Sequence, residues 1–222
     1  MIPRPQAIAG LALLALLAVA CRPTVVLPAA QAVEIAAREP GANLETTTAC
    51  EMPACVARCR DGDASSCAAA GRAYAEGDGV NRSARRAHTF YREACEWGHG
   101  ELCNSLGYAY FHGRGVERDR RSAVAWYAKA CEHDVGSGCR AAGLLHHRGA
   151  GVEVDLSAAV RYYRRACDLE DADGCAHLGE MHLLGLGVHV NRERGRALLQ
   201  EACHGGSDIA CQNPIWLEQD LD

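Results

Sequence analysis

Residues 95–103 read CEWGHGELC, a pair of cysteines at a spacing of eight. The same spacing occurs five times, and corresponding cysteines of successive pairs lie 36 residues apart. The pairs are Cys59 and Cys67, Cys95 and Cys103, Cys131 and Cys139, Cys167 and Cys175, and Cys203 and Cys211. A fixed period of this length is the signature of stacked supersecondary units, each of which contacts only its neighbours. The sequence therefore predicts a repeat array.

The first 20 residues have the features of an export signal. Arg4 precedes an apolar run over 7–20, which is shorter than the roughly 20 residues that span a bilayer but suits a signal sequence. The run ends in LAVAC at 17–21, which resembles a bacterial lipobox with Cys21 as the lipidated residue. Residues 18–20, AVA, also fit ordinary signal cleavage. We expect an exported protein of the bacterial envelope, either a membrane-anchored lipoprotein or a periplasmic or secreted chain.

The number of cysteines supports export. The chain has 13 cysteines, so setting Cys21 aside for lipid leaves the five pairs together with Cys50 and Cys55. An even set in an exported chain indicates a disulfide framework. Zinc is the alternative, but the five pairs have neither C-x₂₋₄-C spacing nor histidines in register. We expect Cys50 to pair with Cys55, although Cys50–Cys59 with Cys55–Cys67 remains open.

Each repeat reads as a helix (helix A), a glycine turn and a second helix (helix B). On helix A, Cys103, Leu106, Gly107 and Tyr110 have the spacing of one helical face. Glycine inside a helix costs about 1 kcal/mol relative to alanine. Its recurrence at one position of every helix A therefore indicates a close approach by another helix, and we expect the alanines of helix B to lie opposite. These glycines are Gly71, Gly107, Gly143 and Gly179.

The boundaries of the helices also carry signals. A glycine at the end of each helix A favours a left-handed cap, which only glycine adopts cheaply. Helix B should begin at Ser83, Asp119, Asp155 and Asn191, which are all N-cap residue types. The predicted organisation is a signal peptide at 1–20, a lipidated N-terminus and flexible tether at 21–49, a partial repeat at 50–63, four repeats at 64–99, 100–135, 136–171 and 172–207, and a C-terminal cap at 208–222.

Residues 106–131, LGYAYFHGRGVERDRRSAVAWYAKAC, resemble the Sel-one-like repeat, a relative of the tetratricopeptide repeat. The cysteine pairs at spacing eight resemble the Helicobacter cysteine-rich protein family. The resemblance implies an all-α fold, a right-handed α/α superhelix in which each cysteine pair forms a disulfide. It also implies a protein-interaction scaffold. Some cysteine-rich members are classed as β-lactamases or penicillin binders, which makes a hydrolase the alternative function.

The residues support the same disulfides independently. In each repeat the first cysteine ends helix B, and the second opens the next helix A. Closing a nine-residue loop in this way should contribute about 2.6 kcal/mol by the chain-entropy estimate. Five such bridges would staple units that contain few large aliphatic side chains.

A binding surface is predicted on the outward face of helix A, which lines the concave face in related solenoids. Exposed aromatics beside arginine and histidine are typical of binding surfaces. The alternative is that Tyr108 and Phe111 only pack between neighbouring repeats. His146 and His182 share one column, where packing is favoured over a metal site. The predicted binding residues are Asn104, Tyr108, Phe111, His112, Arg140, Leu144, His147 and Arg148.

No catalytic residue, metal or cofactor is predicted. A serine β-lactamase needs S-x-x-K, and the nearest approach, residues 83–86, has arginine in place of the lysine. Arginine cannot act as a base near neutral pH. With 23 basic and 28 acidic residues, the chain also lacks the electrostatic footprint of a nucleic-acid binder. We therefore expect a protein or peptide partner, no nucleic acid, and membrane contact only through the N-terminal lipid.

Overall fold

A computed structural model describes residues 51–212, which form consecutive helices without a β-strand within that range. Four repeats each contribute a helix A and a helix B of 13 residues. The helices are α1 (Met52–Arg60), α2 (Ala64–Glu76), α3 (Ala84–Glu96), α4 (Gly100–His112), α5 (Arg120–Glu132), α6 (Gly136–Arg148), α7 (Leu156–Asp168), α8 (Ala172–Leu184), α9 (Arg192–His204) and α10 (Asp208–Cys211).

Some predictions fall on parts of the chain that lie outside the described residues. They are the signal peptide, the lipidation of Cys21, the tether, the Cys50 half of the Cys50–Cys55 pair, and residues 213–222 of the C-terminal cap. Cys55 itself is buried in α1. Within residues 51–212, the helices are too short or too polar to cross a membrane.

The helix ends follow the predicted capping chemistry. Helix α4 ends at Gly113, which has the left-handed φ of 74° and donates its N–H to the carbonyl of Ala109. The equivalent glycines after α2, α6 and α8 adopt the same conformation. Asp119 caps α5 by accepting from the backbone N–H groups of Arg121 and Ser122. Because Ser83, Asp155 and Asn191 cap α3, α7 and α9 in the same way, the predicted starts of helix B are confirmed.

Disulfides join each helix B to the following helix A. All five pairs at spacing eight are bonded, with Cα–Cα distances from 4.5 to 5.0 Å. These distances are in the range that an unstrained backbone allows. Most of the cysteines are buried, so the bridges lie within the packed interior of the junctions. The predicted fold class, an all-helical solenoid stapled by disulfides, is confirmed.

The helix A glycines contact a different residue from the one predicted. A Cβ placed on Gly107 would lie 2.6 Å from the ring of Tyr127, and one on Gly143 would lie 2.8 Å from the ring of Tyr163. The nearest neighbours of these two glycines are therefore tyrosine rings rather than alanines, because the tyrosine side chain of helix B extends over the glycine of helix A. In the fourth repeat a leucine replaces the tyrosine, and the backbone oxygen of Gly195 comes within 2.9 Å of the same point on Gly179.

Candidate binding surface on helix A

The predicted surface lies on α4 and α6, the helix A elements of the second and third repeats. Tyr108 is 41% exposed. His112 and Arg148, at the C-terminal ends of α4 and α6, are also exposed. The other five predicted residues are half-buried, and these are Asn104, Phe111, Arg140, Leu144 and His147.

Three of these side chains form an aromatic cluster at the end of α4. The ring of His112 lies 4.3 Å from that of Tyr108 and 4.9 Å from that of Phe111, measured between centroids. Arginines flank the cluster, since the guanidinium of Arg114 lies 5.0 Å from the centroid of Tyr108 and that of Arg120 lies 5.7 Å from that of Phe111. Burial, followed by nearby arginines, lowers the pKa of His112, so the cluster is uncharged at its centre near neutral pH.

Phe111 also packs into the core, against the cluster that contains Val124 and Tyr127. The alternative reading of this residue, packing between helices, is therefore part of its role. Tyr108 is more exposed and is not among the residues packed against this core cluster. Of the two aromatics, Tyr108 is therefore the one with more of its side chain exposed to solvent.

Two predicted binding residues make contacts within the array instead. Asn104 donates from Nδ2 to Ser137 Oγ, 3.2 Å away on the next helix A. Arg140 donates from Nε to Asp171 Oδ1 at 2.8 Å and lies 3.9 Å from Asp173. These polar contacts bridge adjacent repeats, so Asn104 and Arg140 stabilise the surface on which the exposed residues lie.

Asp171 has a second role at the same junction. Its side chain accepts from the backbone N–H of Gly174 at 2.7 Å and caps the start of α8. One carboxylate therefore holds both the helix terminus and the arginine of the preceding repeat. Its neighbour Asp173 continues the contacts by accepting from Ser207 Oγ at 2.7 Å.

A chain of contacts between histidine, tyrosine and glutamate side chains connects the third repeat to the fourth. His147 Nδ1 lies 3.4 Å from the hydroxyl of Tyr163, whose ring centroid lies 5.0 Å from that of His177. His177 Nδ1 is in turn 3.3 Å from a carboxylate oxygen of Glu180. Burial, followed by the charges of His177 and Arg148, lowers the pKa of His147. Burial raises the pKa of Tyr163 to about 12, so its hydroxyl stays protonated at neutral pH.

His146 and His182 occupy packing positions. The ring of His146 stacks on Tyr162 with centroids 5.5 Å apart, and the Nδ1 atoms of both histidines are buried without a hydrogen-bond partner. Within residues 51–212 the one group with metal-ligand spacing is Cys59, Cys67 and Glu93. Its two cysteines form a disulfide, which removes the thiolates that a metal would need.

Ser83, the nearest approach to a β-lactamase serine, is the N-cap of α3. Its Oγ accepts from the backbone N–H of Arg86 at 3.4 Å. The side chain of Arg86 reaches away to Tyr74, where it donates to the phenol oxygen at 3.5 Å. The hydroxyl of Ser83 therefore caps a helix, and the adjacent arginine lies over an aromatic ring.

Sequence reasoning missed the residues that contact the predicted ones from other parts of the array. Ser137, Asp171, Asp173 and Tyr163 contribute to this surface, but none was predicted to do so. A signal for two of them was present, because Asn104–Ser137 and Arg140–Asp173 share a separation of 33 residues. A search for complementary polar residues 33 positions apart, which is three fewer than the repeat period of 36, would have found both pairs.

Comparison with known proteins identifies the repeats. The Sel1 repeat model matches residues 64–99, 101–135, 136–171 and 172–207, which together cover more than half of the chain. No curated protein matches. Sel1 repeat proteins are scaffolds for protein interactions.

Solved structures with this fold are similar to the chain. A protective antigen of uropathogenic Escherichia coli with an SLR fold is 26% identical, with a TM-score of 0.63 over 72% of this chain and 34% of that one. A Sel1 repeat protein from Oxalobacter formigenes is 27% identical, with a TM-score of 0.62 over 68% of this chain and 62% of that one. Helicobacter pylori cysteine rich protein B is 33% identical, with a TM-score of 0.48 over 61% of this chain and 97% of that one. The chain thus spans about a third of the Escherichia coli protein and less than two thirds of the Oxalobacter protein. With four matching repeats and this fold, the chain belongs to the Sel1 repeat family.

Proposed function

We propose that this chain is an exported scaffold that captures a protein partner on the helix A surface of its second and third repeats. The observation that carries the proposal is the exposed group formed by Tyr108, His112 and Arg148 on neighbouring helices. The few residues that dominate the binding energy of protein interfaces are enriched in tryptophan, tyrosine and arginine. The Asn104–Ser137 contact joins these two helices, and the Cys131–Cys139 disulfide holds α6 against helix B of the second repeat, which lowers the entropy lost on binding.

The disulfides also support a location outside the cytoplasm. Thiols are kept reduced in the bacterial cytoplasm, whereas bridges form and persist in the periplasm and beyond. Five bridges in one array of 13-residue helices fit that compartment. We extend the proposal to a lipid at Cys21 that tethers the array to the membrane.

Partner capture is the direct test. The purified protein is crosslinked to envelope extract, and captured proteins are compared between the unaltered chain and the variants Tyr108→Ala and Arg148→Ala. Each variant should lower capture of a common partner about tenfold or more, as truncation of an interface anchor does. Arg72→Ala is the matched control, because Arg72 is exposed at the position of Tyr108 in the first repeat.

The outcome that contradicts the proposal is equal capture by all variants. A thermal unfolding curve accompanies each variant, since early melting of Tyr108→Ala would make its side chain part of the packing. The anchor is tested separately by incorporation of labelled palmitate. Label should enter the unaltered chain but not Cys21→Ala, and an unlabelled, soluble product from both would indicate ordinary signal cleavage instead.

A further inference from the structure

The junction between the first and second repeats, which we call the first seam, differs from the next two. At the later seams, Val124 on α5 and Val160 on α7 are 7% and 4% exposed. The equivalent residue on α3, 36 positions before Val124, is His88, which is half-buried. An imidazole therefore replaces an apolar side chain at one seam of the array.

His88 changes how the following turn rests on the helix. At the later seams, a Cβ on the turn glycines Gly151 and Gly187 would lie 2.6 and 2.5 Å from the backbone of the preceding helix B. At the first seam, the atom nearest to a Cβ placed on Gly115 would be Nε2 of His88, at 2.7 Å. The turn is therefore supported by the imidazole instead of the helix backbone.

A polar contact fixes this arrangement. His88 Nε2 lies 3.1 Å from the carbonyl oxygen of Arg114, so in the neutral tautomer that donates to this oxygen the other nitrogen has no proton. That nitrogen, Nδ1, is buried without a hydrogen-bond partner. A buried acceptor without a partner destabilises a fold, whereas the valine of the other seams carries no such penalty. The imidazole at the first seam therefore carries a cost in stability that the valines of the later seams do not.

A cavity of about 900 Å³ lies at this seam. It is bounded by α3, by the turn between α4 and α5, and by the half-buried aromatic side chains of Tyr110 and Trp126. Its volume is within the range of sites for small molecules and short peptide segments. None of the eight predicted helix A binding residues lines it.

The α3 wall of the cavity is cationic. Arg85, Thr89 and Arg92 lie on one face of the helix at spacings of four and three, and all three are exposed. Among residues 51–212, neither arginine side chain has an ion-pair partner. They are therefore available to an anionic ligand.

The opposite wall carries Glu117, Arg118 and Asp119, so arginines outnumber acids three to two in the lining of the cavity. Asp119 uses its carboxylate to cap α5 and to accept from Ser122 Oγ. Arg118 donates to the carbonyl of Phe111, and Glu117 is the remaining acid on this wall. Arginine guanidinium groups bind carboxylates with two parallel hydrogen bonds, and an aromatic wall favours an apolar neighbour of that carboxylate.

We propose that the cavity at the first seam binds a peptide segment that carries a carboxylate and an apolar side chain. The carboxylate pairs with Arg85 and Arg92, and the apolar side chain packs on Trp126. This site is additional to the helix A surface and does not depend on the function proposed for that surface.

The probe is a fluorescein-labelled hexapeptide of alternating glutamate and leucine, followed by fluorescence anisotropy with the full oxidised protein. The unaltered protein should bind it saturably, and a peptide with glutamine in place of glutamate should bind at least about tenfold more weakly. Arg85→Ala and Arg92→Ala should each weaken binding of the glutamate peptide about tenfold. The matched controls are Arg121→Ala and Arg164→Ala, the arginines at equivalent positions of helices whose seams contain valine, and these should bind as the unaltered protein does.

His88→Val tests the cavity itself, because it restores the side chain of the other seams. It should abolish binding without lowering the melting temperature, so the loss is separable from misfolding. The proposal is overturned if His88→Val still binds the peptide, if the control arginines weaken binding equally, or if the glutamine peptide binds as well. Amidated and free-acid peptides distinguish the source of the carboxylate: binding of both assigns the site to acidic side chains, and binding of the free acid alone assigns it to a chain terminus.

Discussion

The ring of Tyr163 occupies the space that a side chain on Gly143 would need. A Cβ at Gly143 would lie 2.8 Å from Cδ1 of that ring, closer than carbon atoms approach without displacement. Glycine at this position therefore allows helix B to lie against helix A in the third repeat.

Gly143→Ala should destabilise the protein although it adds a better helix former. In an open helix the change would gain about 1 kcal/mol, but overlap with the tyrosine ring should outweigh that gain and leave a net loss of about 1–3 kcal/mol. Urea unfolding of the oxidised protein measures the difference. In a Tyr163→Leu background the same change should cost less, and a higher unfolding midpoint for Gly143→Ala alone would contradict the assignment.

Loss of one disulfide should weaken a single junction. The double variant Cys131→Ser with Cys139→Ser removes a bridge that closes a nine-residue loop, and its free energy of unfolding should fall by about 2.6 kcal/mol. Peptide mapping without reductant should recover this pair and its four equivalents as linked fragments. Free thiols at these positions in the unaltered protein would contradict the disulfide scheme.

Asp171 should matter more than its arginine partner, because it also caps α8. Asp171→Ala should cost about 1–2 kcal/mol, whereas Arg140→Ala removes only a partly exposed pair and should cost less than about 1 kcal/mol. Asp171→Asn retains an N-cap residue type and should recover most of the loss. Equal melting temperatures for the alanine and asparagine variants would exclude the cap as the main contribution.

Stability should fall as the pH is lowered towards 5. Burial lowers the pKa of His88, His147 and His182 in the folded chain. The unfolded chain has a histidine pKa of about 6.5 and so binds protons at a higher pH than the folded chain does, which favours unfolding on acidification. The loss should begin near the unfolded value and level off below the folded values. Thermal unfolding at a pH of about 7.5 and of about 5.5 should show the drop, and His182→Gln should reduce it.

Much of the fold was predictable because each local signal repeats. The glycine caps after helix A and the four N-cap residues of helix B are set by backbone chemistry within a few residues of the helix ends. The repeated spacing of eight residues between cysteines likewise located the junctions between repeats, because both cysteines of a pair lie close to the junction in sequence. The contact of Gly143 with Tyr163 was not predictable, because periodicity identifies which residues face a neighbouring helix but not how far their side chains extend.

The candidate sites were less predictable than the fold. Tyr108 and Arg148 were predicted as binding residues from their positions on helix A, and the structure leaves both exposed. Arg140 was placed on the same surface, but its guanidinium is paired with Asp171, the N-cap residue of α8, a contact that depends on the exact stacking of the units. The first-seam cavity depends on how the turn at Gly115 packs against His88, which a sequence pattern does not specify.

Every described disulfide joins cysteines only eight positions apart, so each bridge belongs to one junction. A duplication or deletion of one 36-residue unit therefore adds or removes a complete disulfide and leaves no cysteine unpaired. An array built in this way can lengthen or shorten during evolution without mispaired cysteines. Each of these bridges also needs only a cysteine eight positions away along the chain during oxidation.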